Sequence, residues 1–298
     1  MTSKANTSVL VTGGSGQIGQ SIQRFAKQYP DYQLSFPARE QLDLTNKQSV
    51  SDYFNKQQFD VIINCAAHTA VDRAESESEL ANQLNHLAVK QLAGIANKQQ
   101  AKLIHISTDY VFSGENHKPY VEDDVVNPQG VYGLTKLKGE QAIQSIMPND
   151  ATIIRTSWVY SQYGNNFVKT MLKLGEQRDE LNVIFDQIGT PTYAGDLAQA
   201  ILQIIHSDSF KQPSFGSNLY HYSNEGVVSW YDFAKSIFEL ADIDCIVNPI
   251  ETKDYPMPAK RPNYSVLNKA KIKQSYSLAI PYWKDGLQQC LKTLQENE

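Results

Sequence analysis

The chain has 298 residues, 41% of them hydrophobic and 20% charged, with a formal net charge of −5. That mixture describes a folded protein, and its acidic balance excludes the broadly basic surface that recruits nucleic acid. No apolar run approaches the about 20 residues of a membrane span, no signal-peptide core follows the N-terminus, and three widely spaced cysteines (Cys65, Cys245, Cys290) offer neither a disulfide framework nor a zinc site. A protein of the reducing cytoplasm is expected, with one large domain and a smaller one.

Strand and helix signals alternate through the first 160 residues. Residues 8–12 read as an apolar strand ending in glycines, and 19–28 as a helix with Ile22, Phe25 and Ala26 on one face. A weak strand is expected at 33–36, a helix at 49–54 and a buried strand at 60–65. The spacing of Leu80, Leu84, Leu87, Leu92 and Ile95 predicts a helix over 79–97. A strand at 102–107, a helix at 132–146 and a strand at 151–155 follow. Near-continuous apolar strands in repeated β-α-β order imply an α/β fold with a doubly wound, Rossmann-type parallel sheet. Beyond Trp158 the rhythm changes. A helix at 166–176, a strand at 183–185 and a helix at 196–206 precede helices and loops, with a proline-rich loop from Tyr255 to Pro262. Residues 1–160 with 182–223 are expected to form the dinucleotide-binding domain. Residues 161–181 with 224–298 are expected to form a smaller mixed α/β substrate domain.

Two glycine patterns overlap where the first strand meets the first helix: Gly13, Gly16 and Gly19, and Gly14, Gly16 and Gly19. Glycine permits the tight turn, lets the backbone approach a pyrophosphate and lets helix pack on strand, while the helix N-terminus offers N–H groups to the anion. At the end of the second strand, where a cofactor's 2′-position is read, Arg39 can pair a 2′-phosphate. NADPH is therefore the expected cofactor, with NADH as the alternative.

Tyr132 and Lys136 form Y-x-x-x-K, which places both on one helical face. A lysine cation beside the phenol is expected to lower its pKa toward the working range, and the same lysine can bond the nicotinamide ribose. Ser107 and Thr108 end an apolar strand, where parallel sheets bind ligands, and either can hydrogen-bond the carbonyl that Tyr132 protonates. The small residues after Asn64 let a flat ring approach the backbone. None of the six histidines has metal-ligand spacing with another. His105 is expected on a core strand, and His68 is expected to line the cofactor cleft without catalysing.

Together these residues resemble the dTDP-4-dehydrorhamnose reductase family of extended short-chain dehydrogenases. The resemblance runs through residues 63–75, 107–112, 131–140, 155–160, 164–167, 186–192 and 261–267. It implies NAD(P)H-dependent reduction of dTDP-4-dehydro-6-deoxy-L-mannose to dTDP-L-rhamnose, a sugar donor for surface polysaccharides. Carried onto this chain, it makes Tyr132 the proton donor, Lys136 its partner and Thr108 the carbonyl hydrogen-bonder. Gly16, Gln17, Ile18, Asp43, Leu44, Ala66, Ala67 and His68 become cofactor contacts. Val71, Asp72, Asp109 and Trp158 become substrate contacts, and Arg261 the residue for the substrate diphosphate.

Some members hold magnesium at a dimer interface through glutamates. This chain has Ser21 and Gly195 at two of those positions, so no metal is expected, and the protein is expected as a monomer or homodimer. Related dehydratases carry an Asp-Glu pair after the strand-end threonine, whereas Asp109 is followed here by Tyr110. Another nucleotide-sugar epimerase or reductase is an alternative within the same fold, and the Ser157-Trp158-Val159-Tyr160 and Arg261-Pro262 signatures argue against an epimerase. The alternative of another class is a non-catalytic nucleotide-binding subunit of the methionine adenosyltransferase type, against which the intact Thr108, Tyr132 and Lys136 stand.

Overall fold

The computed structural model describes residues 6–212 and 218–296. Residues 1–5 of the polar N-terminus, 213–217 of the expected dinucleotide-binding unit and the last two residues lie outside them. The first part runs β1 (Thr7–Thr12), α1 (Gln17–Phe25), β2 (Tyr32–Ser35), α2 (Lys47–Lys56), β3 (Val61–Asn64), α3 (Val71–Ser76), α4 (Ser78–Asn82), α5 (Ala88–Gln99), β4 (Lys102–Thr108), α6 (Val131–Ile146) and β5 (Ala151–Thr156). The rest runs β6 (Val159–Tyr160), α7 (Phe167–Gly175), β7 (Glu180–Ile184), β8 (Ile188–Gly189), β9 (Thr192–Tyr193), α8 (Ala194–His206), α9 (Asp208–Lys211), β10 (Leu219–His221), β11 (Val228–Ser229), α10 (Trp230–Ala241), β12 (Ile246–Ile250), α11 (Ala270–Tyr276) and α12 (Trp283–Gln295).

The main sheet has the order β10-β5-β4-β3-β1-β2, with every pairing parallel. Side chains alternate between its faces. Val9, Val11, Ile63 and Ile104 pack toward α1 and α8, while Leu10, Ile62, Leu103 and Ile153 pack toward α2, α5 and α6. The strand order reverses between β1 and β3, and such a switch point opens a crevice at the carboxyl ends of the strands. A third core gathers Val168, Leu181, Phe233, Ile237, Val247 and Leu287 from α7, β7, α10, β12 and α12. Two elements cross between the layers. β7 pairs with β12 outside the main sheet, whereas Ile272 of α11 packs into the sheet core.

The helix expected over 79–97 is three pieces, because a π-helical turn at Gln83–Leu87 separates α4 from α5. That turn buries Asn85 completely, and its amide bonds the His68 backbone at both N–H and C=O as well as Thr135 Oγ1 on α6. Leucine spacing cannot show this, since the widened turn answers to a polar partner and not to an apolar face.

Candidate active site

The turn after β1 explains its glycines one by one. Gly13 has φ +70°, and a Cβ there would lie 2.7 Å from the Ala66 nitrogen on the loop after β3. A Cβ on Gly19 would lie 2.3 Å from the Gly13 oxygen, so Gly19 lets α1 pack on the turn and does not itself face the cleft. Gly16 is different. Its Cβ would meet only the Gly13 oxygen, at 3.2 Å, so the bare side of this residue opens outward. Gly16 is also the N-cap of α1, whose first turn holds no acidic residue. Backbone N–H groups at an open helix N-terminus fit a pyrophosphate.

From this turn a cleft of about 1400 Å³ runs across the carboxyl ends of the strands. Gln17, Ile18, Arg39, Asp43, Leu44, Ala66 and Ala67 line its first part. The Gln17 side chain reaches over it to the Val159 carbonyl, Ser161 and Asn166. Arg39 is exposed and lies 3.7 Å from Asp43, which also accepts from the Thr45 N–H and hydroxyl. His68 does not line the cleft. It is buried, with its N–H on Asn85 and Nε2 2.7 Å from Glu77.

Thr108, Asp109, Tyr132 and Lys136 line the cleft where β4 ends. A Cβ on Gly133 would lie 2.2 Å from the Tyr110 oxygen, so α6 sits directly against the segment after β4. That contact brings Tyr132 beside Thr108, whose hydroxyl donates to Asp109 at 3.0 Å and accepts from the Tyr110 N–H. Burial, with a smaller push from Asp109, raises the Tyr132 phenol to about 12 against the pull of the neighbouring Thr108 hydroxyl. Lys136 is fully buried, donates to the Ile106 carbonyl and faces His105 Nε2 at 3.3 Å. The expected lowering of the phenol by Lys136 is therefore corrected. The ammonium is turned into the sheet, and desolvation of the ring dominates. Ser107, the other candidate hydroxyl, donates to Glu140 and is spoken for.

Asp109 is buried with Oδ2 unpartnered, and its carboxyl is pushed up to about 7 by that burial, against the hydrogen bond that the Thr108 hydroxyl gives Oδ1. A raised carboxyl contributes stability that is complete below about pH 4 and is lost as pH rises through about 7. The loss between about pH 5 and pH 7 amounts to about 2 kcal/mol. Asp109→Asn is expected to flatten that part of the pH dependence, read as unfolding free energy at the two pH values in both proteins. An unchanged slope would show that Asp109 ionises freely.

On the far wall Trp158 adopts φ +48°, a left-handed conformation that costs a residue with a Cβ about 1 kcal/mol or more. Its indole stacks on Trp230 with centroids 3.5 Å apart and planes at 8°, and Phe167 leans on the same ring at 4.6 Å. All three line the cleft. Trp230 had no sequence signal, because it stands at the start of α10 outside any motif. Val71 and Arg261 line the cleft mouth, but Asp72 does not. Instead Asp72 grips Arg261 with both oxygens, at 3.0 and 2.6 Å, and the guanidinium holds its carboxyl below the usual range. Of the two family positions for metal-binding glutamates, Ser21 donates to the Gln17 carbonyl, and a Cβ on Gly195 would lie 2.5 Å from the Tyr193 ring. Among the described residues no group of three or more His, Cys, Asp or Glu could hold a metal ion.

The family described as RmlD substrate binding domain matches residues 7–296. The dTDP-4-dehydrorhamnose reductase of Escherichia coli (strain K12) is 40% identical over 295 residues, covering 96% of this chain and 97% of its own. The crystal structure of a dTDP-4-dehydrorhamnose reductase from Clostridium acetobutylicum ATCC 824 is 42% identical with TM-score 0.90, covering 97% of this chain and all of that one. The Bacillus anthracis str. Ames enzyme of the same name, solved in complex with NADP, is 38% identical with TM-score 0.90 over 97% of this chain and 99% of its own. A likeness that extends over almost the whole of each chain leaves no separate part to explain, and the chain belongs to the dTDP-4-dehydrorhamnose reductase family.

Proposed function

We propose that the chain reduces the 4-keto group of dTDP-4-dehydro-β-L-rhamnose to give dTDP-β-L-rhamnose, with NADPH as reductant and NADH as the alternative. The observation that carries this reading is the meeting of Thr108, Tyr132 and Lys136 at the carboxyl edge of the sheet, inside the cleft that begins at the glycine turn. The turn fits a dinucleotide because Gly16 leaves its outward side bare and Gly13 draws Ala66 close. When bound, the dinucleotide supplies a hydride to C4 of the sugar.

The chain supplies the rest. As negative charge grows on the carbonyl oxygen, Tyr132 donates its proton to it, and Thr108 would turn its hydroxyl from Asp109 to hold the same oxygen. A phenol near 12 stays protonated across the neutral range and enters the reaction as an acid. Lys136 would hold the nicotinamide ribose. The Trp158–Trp230 stack gives a flat apolar wall for the substrate. Arg261 would hold the diphosphate, which must share it with Asp72. Residues 1–160 with 182–223 would hold the dinucleotide and 161–181 with 224–298 the sugar nucleotide, β7 and α11 being the elements that cross.

Among the described residues no helix is long and apolar enough to cross a membrane, and we place the enzyme in the cytoplasm, as a monomer or homodimer. The reading is tested by NADPH oxidation with the keto-sugar and identification of the product by NMR. Absence of turnover by a folded, NADPH-binding protein would leave the non-catalytic alternative. If Arg39 reads the 2′-phosphate, Arg39→Ala raises KM for NADPH about tenfold and leaves KM for NADH nearly unchanged. Equal changes for both cofactors would return Arg39 to the solvent.

A further inference from the structure

The interior side of Lys136 is built by residues outside the reaction described above. Asn64 ends β3, and its side-chain oxygen accepts from the Ala66 N–H at 3.2 Å and from the Thr12 hydroxyl at 2.6 Å. A backbone N–H can only donate, so the amide oxygen is fixed on that side and the NH2 on the other. The NH2 lies 3.0 Å from His105 Nδ1 on β4. Nδ1 therefore accepts, and in a neutral ring the proton sits on Nε2. Burial first, then the Lys136 charge, hold His105 well below its ordinary value, so the ring is neutral. Its Nε2 faces Lys136 Nζ at 3.3 Å. There an N–H meets another donor if the lysine is an ammonium, and a lone pair if it is an amine.

We propose that Asn64 and His105 are positioning residues that aim a donor N–H at Lys136 Nζ and so set the upper pH at which this lysine keeps its proton. The neutral amine satisfies every contact, one N–H going to the Ile106 carbonyl and the lone pair accepting from His105. Other groups near Lys136 leave this balance in place. Glu140, one turn along α6, shares its carboxylate with Arg155 and Ser107. Burial pushes the Cys65 thiol and the Tyr132 phenol each up to about 12, so both stay uncharged. Lys136 itself is brought down to about 8 by burial, against Glu140. The donor from His105 acts in the same direction as burial.

The part this plays in turnover rests on the reductase reading, whereas the tautomer does not. Nitrogen-15 histidine NMR of the intact protein at about pH 7 reads it directly, with the His105 signals assigned by their loss in His105→Gln. A protonated Nε2 with a bare Nδ1 is expected, and a protonated Nδ1 overturns the proposal whether or not the protein turns over. Asn64→Asp gives the kinetic arm. Its carboxylate must accept from Nδ1–H, which makes Nε2 an acceptor for the ammonium. The upper pH limb of kcat is then expected to move up by about one unit or more. A limb that stays in place in folded Asn64→Asp overturns the proposal, and the wild-type NMR reading decides it if that variant does not fold. An Nε2–H tautomer in a protein inactive with the keto-sugar supports the proposal and counts against the reductase reading alone.

Discussion

Tyr132→Phe is expected to lower kcat for keto-sugar reduction by ~10²–10⁴-fold, the range of a lost general acid, while NADPH affinity changes little. The substitution keeps the ring, so the edge contact with Tyr110 at 5.4 Å survives and the start of α6 keeps its packing. It removes only the hydroxyl, which lies beside Thr108 and carries the proton. Water cannot replace that donor well, because the phenol works in a desolvated position where a fixed hydrogen bond to a developing oxyanion is strongest. Single-turnover kinetics with saturating NADPH separate this step from product release. The pH profile adds a second check. Rate is expected to fall as pH rises through about 8, where Lys136 loses its proton, well before the phenol ionises near 12. A Tyr132→Phe protein that reduces the sugar at near-wild-type rate in a single turnover would remove Tyr132 from the chemistry.

The parts of this molecule that sequence made legible are those in which the backbone or one short segment decides the matter. Gly13, Gly16 and Gly19 are required by a turn, an approach and a packing contact within seven residues of each other. Strands β1, β3, β4 and β5 were legible because buried parallel strands are nearly continuous in apolar residues, whereas β2, a half-buried edge strand, gave only a weak signal. Spacing also put Tyr132 and Lys136 on one helical face. Where Lys136 points was illegible, since His105 and the Ile106 carbonyl turn it inward from another strand. The grip of Asp72 on Arg261 joins residues 189 positions apart. β12 escaped notice because its burial is partial, with Pro249 interrupting its alternation. The Trp158–Trp230 stack depends on one left-handed residue, and no local pattern announces that.

Glu140→Gln is expected to cost about 3–5 kcal/mol of folding stability, the scale for stranding one partner of a buried ion pair. Glu140 and Arg155 are almost wholly buried, and the guanidinium meets the carboxylate at 2.7 and 2.9 Å. Ser107 donates to the same carboxylate, and the Arg155 guanidinium lies 4.9 Å over the Phe112 ring. The arrangement ties α6 to β4 through Ser107 and to β5 through Arg155, one turn beyond Lys136. A neutral amide keeps the shape but leaves a cation in the interior with no counter-charge and gives Ser107 a weaker acceptor. Because the cost is mostly that of the stranded charge, removing both partners should undo much of it. Glu140→Leu with Arg155→Met is expected to recover most of the stability lost in either single variant. Urea unfolding of wild type, both singles and the double gives the cycle. A loss below about 1 kcal/mol in Glu140→Gln would show that solvent already reaches the pair, and a double variant no better than the singles would place the cost in packing instead. Activity adds a second reading. A double variant that regains stability but not kcat would mean that the ion pair holds α6 at the height where Tyr132 reaches Thr108, beyond merely keeping the helix folded.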